Sequence, residues 1–217
     1  MNSALESTLT LASTAIEAAR REVRRADVPS LGANADVREA SARARSAAYV
    51  FMSAALERCL KDSLFAVLHE ISAQGMALRD VRTSLFALLC SGDLVFIRSS
   101  GNRKTLDRHA RAAAMYARIF DSADCSFPVD LLPLDGRTLR AAHFETVWAV
   151  FGFPAPSLPH PTHSLALSDL ADGRNVVAHG VVDPVAFGRG KATHDVGKLV
   201  DKIEDVILHI VKLPTAT

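Results

Sequence analysis

The chain has 217 residues, 49% of them apolar and 23% charged, the balance of a globular protein of one large domain or two small ones and not of a disordered chain. Lys and Arg number 25 against 24 Asp and Glu, a formal net charge of +1, so a uniformly basic nucleic-acid coat is excluded and any nucleic-acid site has to be a local patch. No apolar run approaches the roughly 18 residues of a bilayer span, and MNSALESTLTLASTAIEAAR at the amino end has no basic residue ahead of an apolar stretch and does not read as a signal peptide. A cytoplasmic protein without a membrane partner is expected.

Ala, Leu, Glu and Arg dominate the first half and apolar residues recur at helical spacing, which predicts an all-α protein. A first helix is expected over 3–26, followed by the breaker DVPSLGAN, in which Pro29, Gly32 and Asn34 supply turn chemistry. Tyr49, Met52, Leu56, Cys59, Leu60, Ser63, Val67 and Ile71 form the longest stripe at three- and four-residue steps, marking the central helix, which Gly75 ends. Shorter helices are expected over 80–89 and 105–121, and LVFIR at 94–98 is strand-like. FPVDLLPLDG reads as a loop before a helix over 138–150. The proline-rich segment 151–163, with Pro154, Pro156, Pro159 and Pro161, cannot continue a helix and reads as a stiff connector or lid. Helices over 164–179 and 193–212 flank VVDPVAFGRGKA, read as a glycine-containing loop. The expected architecture is a single domain over 1–217, an antiparallel helical bundle in which 1–34 form an amino-terminal helix and turn and 35–217 the core.

Cys59, Cys90 and Cys125 are too few and too widely spaced for a disulfide framework or a CxxC metal site and read as small buried hydrophobes. His160 and His163 have no carboxylate or thiol nearby in sequence, and no GxGxxG or GxxxxGK[ST] occurs, so no metal, dinucleotide or P-loop cofactor is expected.

The informative stretch is LSDLADGRNVVAHG. Leu167, Leu170, Ala171, Val177, Ala178 and Val181 follow core-facing steps, and Arg174 falls inside that stripe. A guanidinium on a buried face needs a partner, and the adjacent Gly173 costs the helix about 1 kcal/mol relative to alanine. Two penalties side by side suggest a site. Arg174 and His179 diverge by about 140° on a regular helix, so a two-fold axis pairing two such helices gathers both side chains around one cleft more readily than one helix does. His179 can take and give a proton near neutral pH, and Arg174 offers a fork that fits phosphate. The alternative is structural: Arg174 pairs with Asp169 or Asp172, and His179 with Gly180 forms a helix C-cap.

The run Arg174-Asn175-Val176-Val177-Ala178-His179-Gly180 resembles the Arg-x(4–6)-His signature of the HEPN superfamily, with Asn after the Arg and Ala-His at the end. The resemblance spans about 38–212, from the helix containing YVFMSAALERCLKD to the final apolar helix. It implies a HEPN-type all-α bundle with an extra amino-terminal helix and a proline-rich insertion. It further implies a dimeric, metal-independent endoribonuclease of a bacterial toxin–antitoxin or phage-defence locus, with an antitoxin or other defence protein as partner. In that reading His179 moves the proton, Arg174 stabilises developing phosphate charge and Asn175 orients the histidine or binds phosphate. No cofactor is implied. A tyrosine two residues after the histidine, the modified position in some such toxins, is Val181 here. A non-catalytic module binding nucleotide, RNA or protein is the alternative from the same resemblance.

RNA calls for positive potential. Arg98, Arg103, Lys104, Arg108, Arg111 and Arg118 stand against Asp107 alone over 98–118, a local charge of +5 (six minus one), and Arg103, Lys104 and Arg108 are the candidate RNA contacts. Arg20, Arg21, Arg24 and Arg25 form a second cluster. For both, a solvated helix face is the plain alternative. Aromatic residues are 6%, so contacts through phosphates are expected over base stacking.

Overall fold

The computed structural model describes residues 3–27, 34–101, 104–128, 131, 132, 134, 138–154 and 156–213. Among them the chain is all-α, without a β-strand. Helix α1 (Ser3–Ala26) returns antiparallel along α2 (Ala35–Ala73), whose third amide, at Val37, is capped at 2.9 Å by the Asn34 side chain. At 39 residues α2 is about 58 Å long, and it is the common neighbour of α1, α7 (His163–Ala178), α8 (Pro184–Arg189) and α9 (Thr193–Ile210). Its apolar stripe holds as expected: Tyr49, Met52, Leu56, Cys59, Leu60, Ser63, Val67 and Ile71 are all buried.

The core divides in two. The larger part joins Ile16 of α1, Tyr49 to Leu64 of α2, Phe144 and Trp148 of α6 (Ala141–Phe151), Leu167 and Leu170 of α7, and Ile203 and Ile207 of α9. Each such side chain contributes about 1.5–3 kcal/mol when fully buried. The smaller part forms around the far end of α2, where Val67, Leu68 and Ile71 meet Leu85 and Phe86 of α3 (Thr83–Leu89), Cys90, Met115 and Cys125. All three cysteines are buried, and desolvation pushes the Cys59 thiol up to about 12.

Three expectations are corrected. The strand-like 94–98 lies in a helix, α4 (Ser91–Ser99), followed by α5 (Thr105–Ala117). A strand needs a neighbour to bond, and none exists among the described residues, whereas a helix satisfies its own backbone, here with Asp93 in the first turn and Arg98 in the last. The supposed loop after α7 holds α8, nucleated by Pro184 in the first turn and by Asp183, whose carboxylate accepts from the amides of Val185 and Ala186 at 2.9 and 3.1 Å. Helix α6 starts at Ala141, leaving Thr138 and Leu139 buried just ahead of it.

The proline-rich connector is docked and not a free lid. Leu158 is buried, Phe153 meets Trp148 edge-on at 5.5 Å, and the ring of His209, stacked on Trp148 at 5.6 Å, places Nε2 3.0 Å from the Pro156 carbonyl. No helix among the described residues is long and apolar enough to cross a membrane.

Candidate functional site at the end of the seventh helix

Helix α7 changes character along its length. Its first three turns pack Ala166, Leu167, Leu170 and Ala171 into the core, and Gly173 closes the buried face. A Cβ at Gly173 would stand 2.4 Å from the Tyr49 ring and 2.9 Å from that of Phe187. The missing side chain therefore serves packing: it admits the edge-on pair Tyr49–Phe187, with centroids 5.1 Å apart, against the helix backbone. This accounts for the glycine without any catalytic role.

From Arg174 onward the helix leaves the core. Arg174, Asn175 and Val177 are half-buried, whereas Ala178 and His179 are exposed and Val181 is 71% exposed. The carboxyl-terminal half of the supposed core stripe, Val177, Ala178 and Val181, is thus corrected, because past Gly173 no neighbour fully covers that side of the helix. It ends with His179 as C-cap and Gly180 at φ +63°, the amide of Val181 reaching the carbonyl of Val176 at 3.1 Å and that of Gly180 the carbonyl of Val177 at 3.3 Å. This is a Schellman closure, and it needs a glycine at the left-handed position. The C-cap half of the structural alternative therefore holds.

The arginine half does not. Asp169 accepts from the Tyr49 hydroxyl at 2.9 Å and from Lys191 at 2.8 Å, while Asp172 pairs with Arg140 at 2.5 Å. Both carboxylates expected to neutralise Arg174 are occupied by other cations, and Arg174 has no ion pair among the described residues. Its Nη1 donates to Oδ1 of Asn175 at a long 3.4 Å. That same Oδ1 accepts a firm 2.6 Å bond from the hydroxyl of Thr138, a residue 92% buried. Thr138 thereby fixes which end of the amide faces inward and leaves Nδ2 as the donor end. Sequence reading missed Thr138, because it lies 37 positions upstream in an unpatterned segment.

The site as a whole is a cationic guanidinium, an oriented amide and an exposed imidazole within two turns of one helix end. His179 makes no side-chain hydrogen bond among the described residues. Such a set can bind a phosphodiester, and the imidazole can exchange a proton with it.

The remaining candidates sit elsewhere. Arg103 lies outside the described residues. Lys104 is exposed, and Arg108 is half-buried with Nη1 on the Ser100 carbonyl at 3.3 Å. Asp93, which a count beginning at residue 98 leaves out, accepts from Arg111 at 2.5 Å and lies 3.6 Å from Arg118, so two of the six cations are neutralised. Helix α5 packs mainly on α4 and the turn at 118–120, whereas α7 packs on α2, α6, α8 and α9. The basic cluster is therefore not built into the same packing unit as Arg174. In the second cluster Arg20 is braced by Glu204 above all, and by Glu17 and Asp201, which hold its guanidinium well above the usual range, and Arg25 pairs with Glu22. That cluster ties α1 to α9 and itself.

His163 is buried and does have a carboxylate, Asp205 of α9, at 3.4 Å from Nε2, which local sequence could not show. Its Nδ1 faces the His160 carbonyl at 3.0 Å, and the two imidazole centroids are 6.3 Å apart. Among the described residues no group of three His, Cys, Asp or Glu side chains could hold a metal ion. Comparison with protein-family models, with curated proteins and with solved structures returns no match.

Proposed function

We propose that the protein is a metal-independent endoribonuclease of the HEPN type, the toxic effector of a bacterial toxin–antitoxin or phage-defence module. The observation that carries the reading is Arg174, a half-buried residue in an RNxxAH motif whose two local carboxylates are given to Lys191 and Arg140. An arginine kept for its charge balance within the fold would take one of those carboxylates, and Arg174 takes neither. A phosphodiester supplies the counter-charge.

The mechanism needs only the residues of α7. His179 withdraws the proton of a ribose 2′-hydroxyl, whose oxygen attacks the adjacent phosphorus. The bond to the 5′-oxygen breaks and that oxygen takes up a proton, leaving a 2′,3′-cyclic phosphate and a 5′-hydroxyl end. Arg174 and Asn175 Nδ2 face the charge that grows on the phosphoryl oxygens. The divergence of Arg174 and His179 is met by a homodimer that pairs two α7 ends, each contributing to one cleft.

The test is expression of the wild type beside His179→Ala at equal protein level, with RNA cleavage assayed in EDTA. Growth arrest and cleavage by the wild type alone, at an activity ratio of about 10²–10⁴, is the expected result. Light scattering should show a dimer. Activity abolished by EDTA and restored by a divalent ion would exclude the mechanism. A second reading, a non-catalytic module binding nucleotide, RNA or protein, draws on the lack of an orienting partner for His179 among the described residues. Equal toxicity of both proteins would select it.

A further inference from the structure

A cleft of about 770 Å³ opens where α1 ends, α2 begins and α8 hands over to α9. That volume is in the range of small-molecule sites. Among the described lining residues four side chains are cationic, Arg38, Arg45, Arg189 and Lys191, and none is acidic. The segment VPSLGA at 28–33, which joins α1 to α2 in sequence, has no acidic residue either. Two neighbouring carboxylates are engaged elsewhere, Glu22 with Arg25 and Glu39 with Arg43, while Asp27, Asp36 and Asp195 are not part of the lining. Lys191 is partly neutralised by Asp169, but Arg38, Arg45 and Arg189 have no ion pair among the described residues.

Arg45 is the residue that needs an explanation. Its Nε donates to the Gly188 carbonyl at 2.8 Å, and Nη1 donates to Ser41 Oγ at 2.7 Å and Thr193 Oγ1 at 3.1 Å. All three acceptors are neutral, so they fix the guanidinium in place without cancelling its charge. Nη2 makes no bond among the described residues. Desolvation lowers the pKa of Arg45 from the ordinary arginine value, and no carboxylate opposes it. The seat is built to close tolerance, because a Cβ at Gly188 would meet the Ala42 carbonyl at 1.9 Å and push α8 off α2. A cation that is half-buried, immobilised and unpaired among the described residues, beside two further guanidiniums without an ion pair, is preorganised for an anion with more than one negative charge.

We propose that this cleft binds a small molecule carrying two or more linked phosphates, a nucleoside polyphosphate in size. Arg45 Nη2 meets one phosphate at the floor, Arg38 and Arg189 clamp the others, and the apolar side chains of Ala26, Val37 and Ala192 face the remainder of the ligand. The site is distinct from Arg174 and His179 and does not rest on the ribonuclease reading. A bound nucleotide would bridge α2 to the α8–α9 connection, whose Lys191 also holds Asp169 on α7.

Calorimetric titration of the full chain with inorganic pyrophosphate, ATP and a short RNA, at low salt, tests the proposal. Expected is saturable binding of pyrophosphate or ATP, one per chain, weakened about tenfold or more in the double variant Arg38→Gln, Arg189→Gln. Both side chains are exposed, so that variant keeps its fold even if Arg45→Gln does not, and a melting curve verifies it. His179→Ala and Arg174→Ala should bind as the wild type does. The proposal is overturned by the absence of saturation at millimolar pyrophosphate and ATP, by binding that the double variant retains in full, by binding lost on Arg174→Ala, or by binding of RNA alone.

Discussion

The two halves of α7 obey different rules although they are one continuous helix. Up to Gly173 the inward positions Ala166, Leu167, Leu170 and Ala171 are buried, and a single methyl group at Gly173 would collide with Tyr49 and Phe187. Beyond it, Arg174 and Asn175 are only half-buried and His179 is exposed, and the fold spends its nearby carboxylates on other cations. Residues that packing does not explain are the ones to credit with chemistry. The two halves should therefore fail in opposite ways when altered.

The largest effect is expected at the exposed end. His179→Ala should lower RNA cleavage by about 10²–10⁴-fold while leaving the urea midpoint where it was, since the side chain is exposed and makes no hydrogen bond among the described residues. A variant that loses stability along with activity would erase the distinction between the halves. Gly173→Val should do the reverse, costing at least the roughly 1–3 kcal/mol typical of overpacking, read as a lowered urea midpoint. Equal midpoints would mean that α7 can shift away from Tyr49 freely.

The buried contact also carries a pH signature. Desolvation raises the pKa of the Tyr49 phenol, as the carboxylate of Asp169 also does, and desolvation pushes the Cys59 thiol from an ordinary 9.0 up to about 12. Above pH 9 the unfolded chain releases protons that the folded chain retains, so stability should fall as pH rises toward 12. Urea denaturation measured at steps through that range checks the sign, and an invariant midpoint would contradict it.

Thr138→Val lies between the extremes. It removes the 2.6 Å bond to Asn175 and should cost about 1 kcal/mol, with a larger relative loss in cleavage than in stability, because the amide is then free to turn. Val181→Ser, on the far side of the Schellman closure, is expected to stay within about 0.5 kcal/mol of the wild type, in keeping with a side chain 71% exposed. A loss of stability well beyond that would place Val181 in an interface, and light scattering would then decide whether that interface is the dimer.

By itself the sequence determined the elements whose cause is local. The stripe from Tyr49 to Ile71, the break at Gly75, the long α1 and α9 and the burial of the three cysteines all follow from spacing and composition, and so does the glycine closure after His179. The Asp-Pro start of α8 was there to be read as well, since capping chemistry is local. Tertiary structure decided whatever depends on a neighbour. LVFIR became helix with no strand among the described residues to pair with, Gly173 turned out to serve Tyr49, and Asp93, ahead of the basic stretch in sequence, took up Arg111 and Arg118. The same holds at the candidate site: residue types named Arg174, Asn175 and His179, but Thr138, Arg140 and Lys191, contributed by other parts of the chain, set the partners of the amide and of the two carboxylates. Charge pairing and hydrogen bonding act over a few ångströms whatever the distance along the chain, so they become legible only once the chain has been folded.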